Sequence, residues 1–149
     1  TKKKKSSSGG GKWIVYERPR VKFRSPKGWT QTSKGDWSVF KSPDDEAVFA
    51  FTTFNRPRES TAKLSGASRV LGANRIRWRS KKRGSVGKQN FPAAYAQGSC
   101  NFRGSGGYIW YATVDAGETD QILLIYTVSA RGKDNKDAAA AAVKSLQLR

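Results

Sequence analysis

Polar and apolar residues alternate in Arg20-Val21-Lys22-Phe23-Arg24. Val21 and Phe23 therefore share one face and the cations the other, the pattern of a half-buried strand. The turn Ser25-Pro26-Lys27-Gly28-Trp29 follows, with Pro presetting φ and Gly free to take φ > 0. Residues 37–42 and 47–54 read as a hairpin closed by Pro43-Asp44-Asp45-Glu46. The second of these strands is apolar on both faces, which predicts a central place in a sheet. Over residues 59–72 the period changes. Leu64, Ala67 and Leu71 recur at helical spacing, with Ser60 as N-cap and Gly72 as the C′ stop.

Strand patterns then dominate. They cover 75–82, 85–89, 93–102, 108–114 and 121–130, with residues 115–120 as a hairpin loop between the last two. A C-terminal helix follows, capped by Asp134 or Asn135 and rich in Ala over 138–142. Its Ala139, Val143 and Leu146 face the core, and Lys144 suits the negative end of the helix dipole. Sequential strands joined by short turns make a mainly antiparallel sheet, and the two helices must cover it. The expected class is α+β, a sandwich of about six strands flanked by two helices, formed by residues 13–149 as one domain.

Three segments resemble the PsbP-like fold, shared by photosystem PsbP proteins, Mog-type Ran-binding proteins and many bacterial lipoproteins. They are residues 21–29 (a strand, then Pro-x-Gly-Trp), Phe40-Lys41-Ser42-Pro43-Asp44 with its following strand, and the closing helix and tail at 142–148. The resemblance implies an antiparallel sheet flanked by helices. It also implies a non-enzymatic protein that binds or assembles other macromolecules. It carries over no catalytic residues, and no residues here match a Ran-binding or manganese-binding motif. Partners vary widely within one fold, so function has to be argued from the site.

Residue types narrow the chemistry. The 149 residues include no His and a single Cys, Cys100. A Ser-His-Asp triad, a Cys-His dyad, a His-containing metal site and an intrachain disulfide are therefore all excluded within this chain. Cys100 lies in a strand context and reads as a small buried apolar residue. No cofactor is implied, and no apolar run is long enough to span a membrane. The acids of 44–46 and 115–120 read as solvated turn residues, without calcium-loop spacing. Gly84-Ser85-Val86-Gly87-Lys88-Gln89 fails as a phosphate-binding loop, because Lys82 and Gln89 stand where Gly and Ser/Thr are needed. Residues 103–111 fail as an RNA-recognition strand for want of spacing and element order. Tyr108, Trp110 and Tyr111 read instead as core and rim aromatics, and all five Trp sit in apolar patterns that suggest burial.

Charge is the strongest functional signal. The chain carries 29 Lys+Arg against 11 Asp+Glu, a net +18. Residues 1–12 (Thr-Lys-Lys-Lys-Lys-Ser-Ser-Ser-Gly-Gly-Gly-Lys) hold five of the lysines and read as a flexible tether, which leaves +13 on residues 13–149. Such a tether fits a lipid-anchored, extracytoplasmic lipoprotein of the bacterial envelope (periplasmic). It fits a multidomain protein or a cloning remnant as well. Within the domain, residues 69–88 contain eight cations and no acid. On a regular strand Arg75, Arg77 and Arg79 share one face, with Ile76 and Trp78 toward the core, and Lys81-Lys82-Arg83-Gly84 forms a basic hairpin tip. With Lys88 these residues form the expected anion-binding face, since guanidinium forks suit phosphate, sulfate or carboxylate along a polymer. The alternative is a solvated sheet face protected at its edge by charge. Arg20, Lys22 and Arg24 form a second basic strand that extends the patch if it lies nearby. The expected function is non-catalytic engagement of an anionic partner: an envelope polymer, an acidic protein or an anionic lipid surface. A nucleic-acid-binding protein using the same face is the rival.

Overall fold

The computed structural model describes residues 11–16, 21–54, 66–115, 121–132 and 134–148. In these residues the strands are β1 (Trp13–Val15), β2 (Val21–Arg24), β3 (Thr30–Lys34), β4 (Trp37–Lys41), β5 (Ala47–Phe54), β6 (Ala73–Val86), β7 (Phe91–Phe102), β8 (Ser105–Asp115), β9 (Gln121–Ser129) and β10 (Gln147–Leu148). Helix α1 occupies residues 66–71, and α2 runs Asn135–Lys144. Every strand pairing is antiparallel. The larger sheet has seven strands in the order β3-β4-β5-β9-β8-β7-β6, and a second sheet has three in the order β1-β2-β10. The architecture is thus α+β and antiparallel as expected, but with a seven-stranded and a three-stranded sheet rather than one of about six strands.

The apolar residues of β5 and β9 explain their central place. Both strands are buried almost throughout, because each face of the large sheet has cover. On the first face Phe40, Phe49, Phe51, Leu124 and Val128 meet Val21 and Phe23 of the small sheet and Ala139, Ala142, Val143 and Leu146 around α2. Rings dominate this core, with Phe23 stacked on Phe51 at 4.7 Å and on Phe49 at 5.7 Å. On the second face Val39, Val48, Ile109, Leu123 and Ile125 meet Ala67 and Leu71 of α1. Gly72 ends α1 at φ +76°, as its place after the helical pattern predicts. Ser60, Leu64 and the loop acids Glu118 and Asp120 lie outside the described residues. Cys100 is buried as expected, 3.3 Å from the Thr127 hydroxyl, and burial pushes its thiol pKa up.

Several local expectations are corrected. Residues 75–82 and 85–89 are not two strands: β6 is one continuous strand of 14 residues, and the turn falls at 87–90. Lys81-Lys82-Arg83-Gly84 therefore lies within a strand and is not a hairpin tip. Asp134 stands at the N-cap of α2 but makes no side-chain cap bond. Asn135 instead donates its amide to the Asp44 carboxylate at 3.1 Å. Asp44 and Asp45 are exposed, as solvated turn acids should be, but the acids of 44–46 also have partners. Asp45 pairs with Arg103 at 2.7 Å, Arg131 lies 3.5 Å from Glu46, and Asp44 accepts from the Ser42 hydroxyl. Of the five Trp only Trp37 is buried; Trp13 is 39% exposed, and Trp29, Trp78 and Trp110 are half-buried.

Candidate anion-binding groove

The basic stretch lies on β6, an edge strand of the large sheet. Its pairing with β7 slips twice, between Asn74 and Arg77 and between Trp78 and Ser80. Each slip inserts residues into β6 that have no partner, and a bulge changes which face the following side chains take. Arg77 opposes Ser99, on the α2 face. Past the second bulge, Lys82 opposes Tyr95 on that same face, whereas Lys81 opposes Ala96 and Arg83 opposes Ala94 on the α1 face. Arg79, the bulged residue, borders a cavity with Gln97 and Tyr108 and so joins Arg77 and Lys82. Arg75 sits in the first bulge in left-handed backbone, φ +51°. Arg77 and Arg79 therefore share a face as expected, but the wider basic face is split, with Lys82 beside them and Lys81 and Arg83 on the other side. Regular alternation does not reveal a bulge, but Gly98 was a signal. Directly opposite Trp78, it lets the β6 backbone come so close that a Cβ would collide with the Arg77 carbonyl oxygen.

On the α2 face, α2 lies over β9 and leaves β6, β7 and β8 open beside it. A chain of cavities follows this step. The first, about 490 Å³, is bordered by Arg79, Gln97, Ser99, Tyr108 and Lys136. A smaller one of about 140 Å³ follows at Ser80, Lys82, Tyr95, Gln97 and Trp110. The next, about 370 Å³, lies between Tyr95, Trp110, Tyr126 and Lys144. The last, about 420 Å³, is bordered by Trp13, Arg24, Lys88 and Lys144. Gln97, then Tyr95 with Trp110, then Lys144 border neighbouring cavities, so the four lie in a row along this face, a row we call the groove. Among the described residues no Asp or Glu borders any of them.

Aromatic rings floor the groove. Tyr95 stacks near Trp110 at 6.2 Å, and Trp110 stacks near Tyr126 at 5.4 Å. The Lys136 ammonium sits 3.9 Å from the Tyr108 ring centroid, a cation–π distance. The Tyr108 hydroxyl donates to Gln97 at 3.0 Å. Burial pushes the phenols of Tyr108 and Tyr126 up, so both stay neutral and add no negative charge to the groove. Sequence reasoning missed Lys136 and Lys144 because they belong to α2, outside the basic stretch. Tyr108 and Trp110 are half-buried at the rim of the core, as expected, and also border the groove.

The second basic strand is placed in part. Val21 and Phe23 are fully buried, and Lys22 and Arg24 turn outward to cover the Trp13 ring, at 4.4 and 5.0 Å from its centroid. Arg24 of this strand and Lys88 of the basic stretch both border the last cavity of the groove, so the strand does lie near the patch. Arg20 lies outside the described residues.

No family model and no curated protein sequence matches the chain. Solved structures do. Cyanobacterial PsbP from Synechocystis sp. is similar over all of this chain and 98% of its own, at TM-score 0.66 and 9% identity. LpqN of Mycobacterium tuberculosis, described as involved in cell envelope biogenesis, is similar over 92% of this chain and 89% of its own, at TM-score 0.57 and 14% identity. The Ran-binding protein Mog1p of Saccharomyces cerevisiae is similar over 95% and 96%, at TM-score 0.55 and 8% identity. Of a larger Bacteroides thetaiotaomicron structure the chain spans about half, 48%, with 93% of this chain aligned at TM-score 0.59 and 15% identity. The fold is therefore PsbP-like, as the sequence resemblance implied. Identities this low speak to the fold alone. No helix among the described residues is long and apolar enough to cross a membrane.

Proposed function

We propose that this is a non-catalytic binding domain, carried on the Lys/Ser/Gly segment 1–12, that takes an extended anionic polymer along the groove beside α2. The observation that carries the reading is the groove itself. Arg79, Lys82, Lys136 and Lys144 line it from two elements, no carboxylate among the described residues borders it, and half-buried rings form its floor. A furrow with cations on both sides suits a chain better than the flat face of a lipid bilayer. Rings give the apolar faces of sugars or bases somewhere to rest. An envelope polymer is the favoured partner. LpqN, of the same fold and described as involved in cell envelope biogenesis, supports an extracytoplasmic place for this chain as well.

Single-stranded nucleic acid is the second reading, and the half-buried Tyr95 and Trp110 rings, stacked at 6.2 Å, are what favours it. Retention on heparin and gel shifts with DNA and RNA, each across a salt series, separate the two. Binding that weakens with salt and is no tighter for nucleic acid than for heparin supports the polymer reading. Tighter, ring-dependent binding of nucleic acid supports the rival. Arg77→Glu with Lys82→Glu removes two cations from the α2 face and is expected to lower the eluting salt concentration on heparin. Lys81→Glu with Arg83→Glu changes charge equally on the α1 face and is expected to have a smaller effect. Equal effects would remove the groove as the site.

A further inference from the structure

The end of the groove differs from the rest of it. Three cations from three separate elements border the cavity of about 420 Å³: Arg24 from β2, Lys88 from the β6–β7 turn and Lys144 from the last turn of α2. The Nε of Arg24 is buried and has no hydrogen-bond partner among the described residues. A buried donor left unmade costs about 1–3 kcal/mol, so its persistence calls for a function. The guanidinium carbon lies 5.0 Å from the Trp13 ring centroid, and the Arg24 backbone N–H ties β2 to the end of α2 by donating to the Ser145 hydroxyl at 2.7 Å.

The dipole of α2 favours Lys144 in its last turn, but the carbonyls there are met without hydrogen bonds from the three cations. Ser145 N–H bonds back to Ala141 and Ala142, the Ser145 hydroxyl donates to the Ala142 carbonyl at 2.6 Å, and Leu146 N–H bonds to the Val143 carbonyl. The Leu146 carbonyl accepts from Lys88 N–H at 2.8 Å, and the Ser145 carbonyl accepts from the Gln147 amide. The helix-end carbonyls are thus met by backbone, Ser145 and Gln147, without the three cationic side chains. The ion pairs of the described residues are elsewhere, Arg103 with Asp45 and Arg131 with Glu46.

We propose that this cavity is a discrete oxyanion subsite for a tetrahedral ester group, a phosphate or sulfate monoester. Three cations carried by three separate elements suit the three free oxygens of a tetrahedral ester better than the two of a planar carboxylate. The room left over, beside Trp13, takes the organic part of the ester. The inference does not depend on the polymer reading, because a small free anion suffices to fill the site. If the polymer reading also holds, the subsite anchors a charged terminus or branch at the Lys144 end of the groove.

Inorganic phosphate, inorganic sulfate, phenyl phosphate, phenyl sulfate and benzoate are titrated against the whole chain, with the Trp13 indole and the Arg24 and Lys144 signals followed by NMR. Saturable shifts at these residues, larger for the phosphate or sulfate esters than for benzoate, are expected. Phosphate against sulfate shows which source the site prefers. Arg24→Gln and Lys144→Gln are each expected to weaken ester binding roughly tenfold or more, as for loss of a charged hydrogen bond. Lys144 is an exposed helix residue, so its variant keeps the test valid even where Arg24→Gln melts early. Lys81→Gln, on the α1 face, is expected to leave the affinity unchanged. Linear, unsaturating shifts, preference for benzoate, or an unaltered Lys144→Gln affinity would overturn the subsite. Heparin retention that depends on Arg77 and Lys82 while these titrations fail would overturn it and leave the polymer groove standing.

Discussion

Gly98 offers the sharpest check on how the groove is built. It faces the second bulge of β6, and a Cβ there would overlap the Arg77 carbonyl oxygen and lie 2.9 Å from Arg77 C and 3.0 Å from Trp78 Cα. All three atoms are backbone, so no side-chain rotation relieves the clash. Overpacking of this kind costs about 1–3 kcal/mol, and a rigid backbone neighbour puts Gly98→Ala near the upper end. The lower entropy of the unfolded alanine chain offsets about 0.4–1 kcal/mol. A net loss of about 2 kcal/mol follows, which for a chain of this size lowers Tm by roughly 4–8 °C. Gly106→Ala is the matched control. Gly106 lies in β8 with nothing within 4 Å of an added Cβ, so this change should be neutral or slightly stabilising. Thermal unfolding followed by circular dichroism, with heparin elution on the same samples, reads both effects. Gly98→Ala should also bind heparin more weakly, because moving the bulge turns Arg79 or Lys82 away from the groove. A Gly98→Ala protein that melts at or above Gly106→Ala would refute the close approach, and with it the split of the basic row between two faces.

Other outcomes follow from the same geometry. Phe49 is fully buried among Phe23 and Phe40, so Phe49→Ala should cost about 3–5 kcal/mol in urea unfolding. Trp78 is only half-buried, 4.7 Å from Tyr111, and Trp78→Ala should cost roughly half as much; equal losses would contradict this placement. Hydrogen bonds from Ser42 and then Asn135 hold the Asp44 carboxyl below its usual 3.8. A depressed carboxyl contributes stability that is present above the unfolded value and is lost as pH falls through the folded one. Asp44→Ala should therefore flatten the decline of Tm below about pH 4, and an unchanged acid limb would contradict the assignment. Cys100 is buried with a raised pKa, so a thiol reagent at pH 8 should label it only on unfolding; fast labelling of the native protein would contradict that burial.

Much of the fold was legible because local pattern and tertiary role agree. Val21 and Phe23 alternate with Lys22 and Arg24, and the first pair is buried while the second faces out. Strand β5, apolar on both faces, is central. Two strands had no such signal. Residues Thr30–Lys34 are polar at every position and fully exposed, an edge strand held by backbone pairing with β4 alone. Residues Gln147–Leu148 form a strand only because β2 is there to pair with.

The site divides along the same line. Composition and spacing by themselves determined a basic, His-free, antiparallel α+β domain and located its densest run of cations. Which of those cations act together was decided by tertiary structure. The bulges of β6 respond to the backbone of β7 across Gly98, so Lys81 and Arg83 part from Arg77, Arg79 and Lys82. The end of α2 brings Lys144 to Arg24 and Lys88, residues 56 to 120 positions away along the chain. Strand pairing and helix docking set these distances, and a linear pattern contains neither.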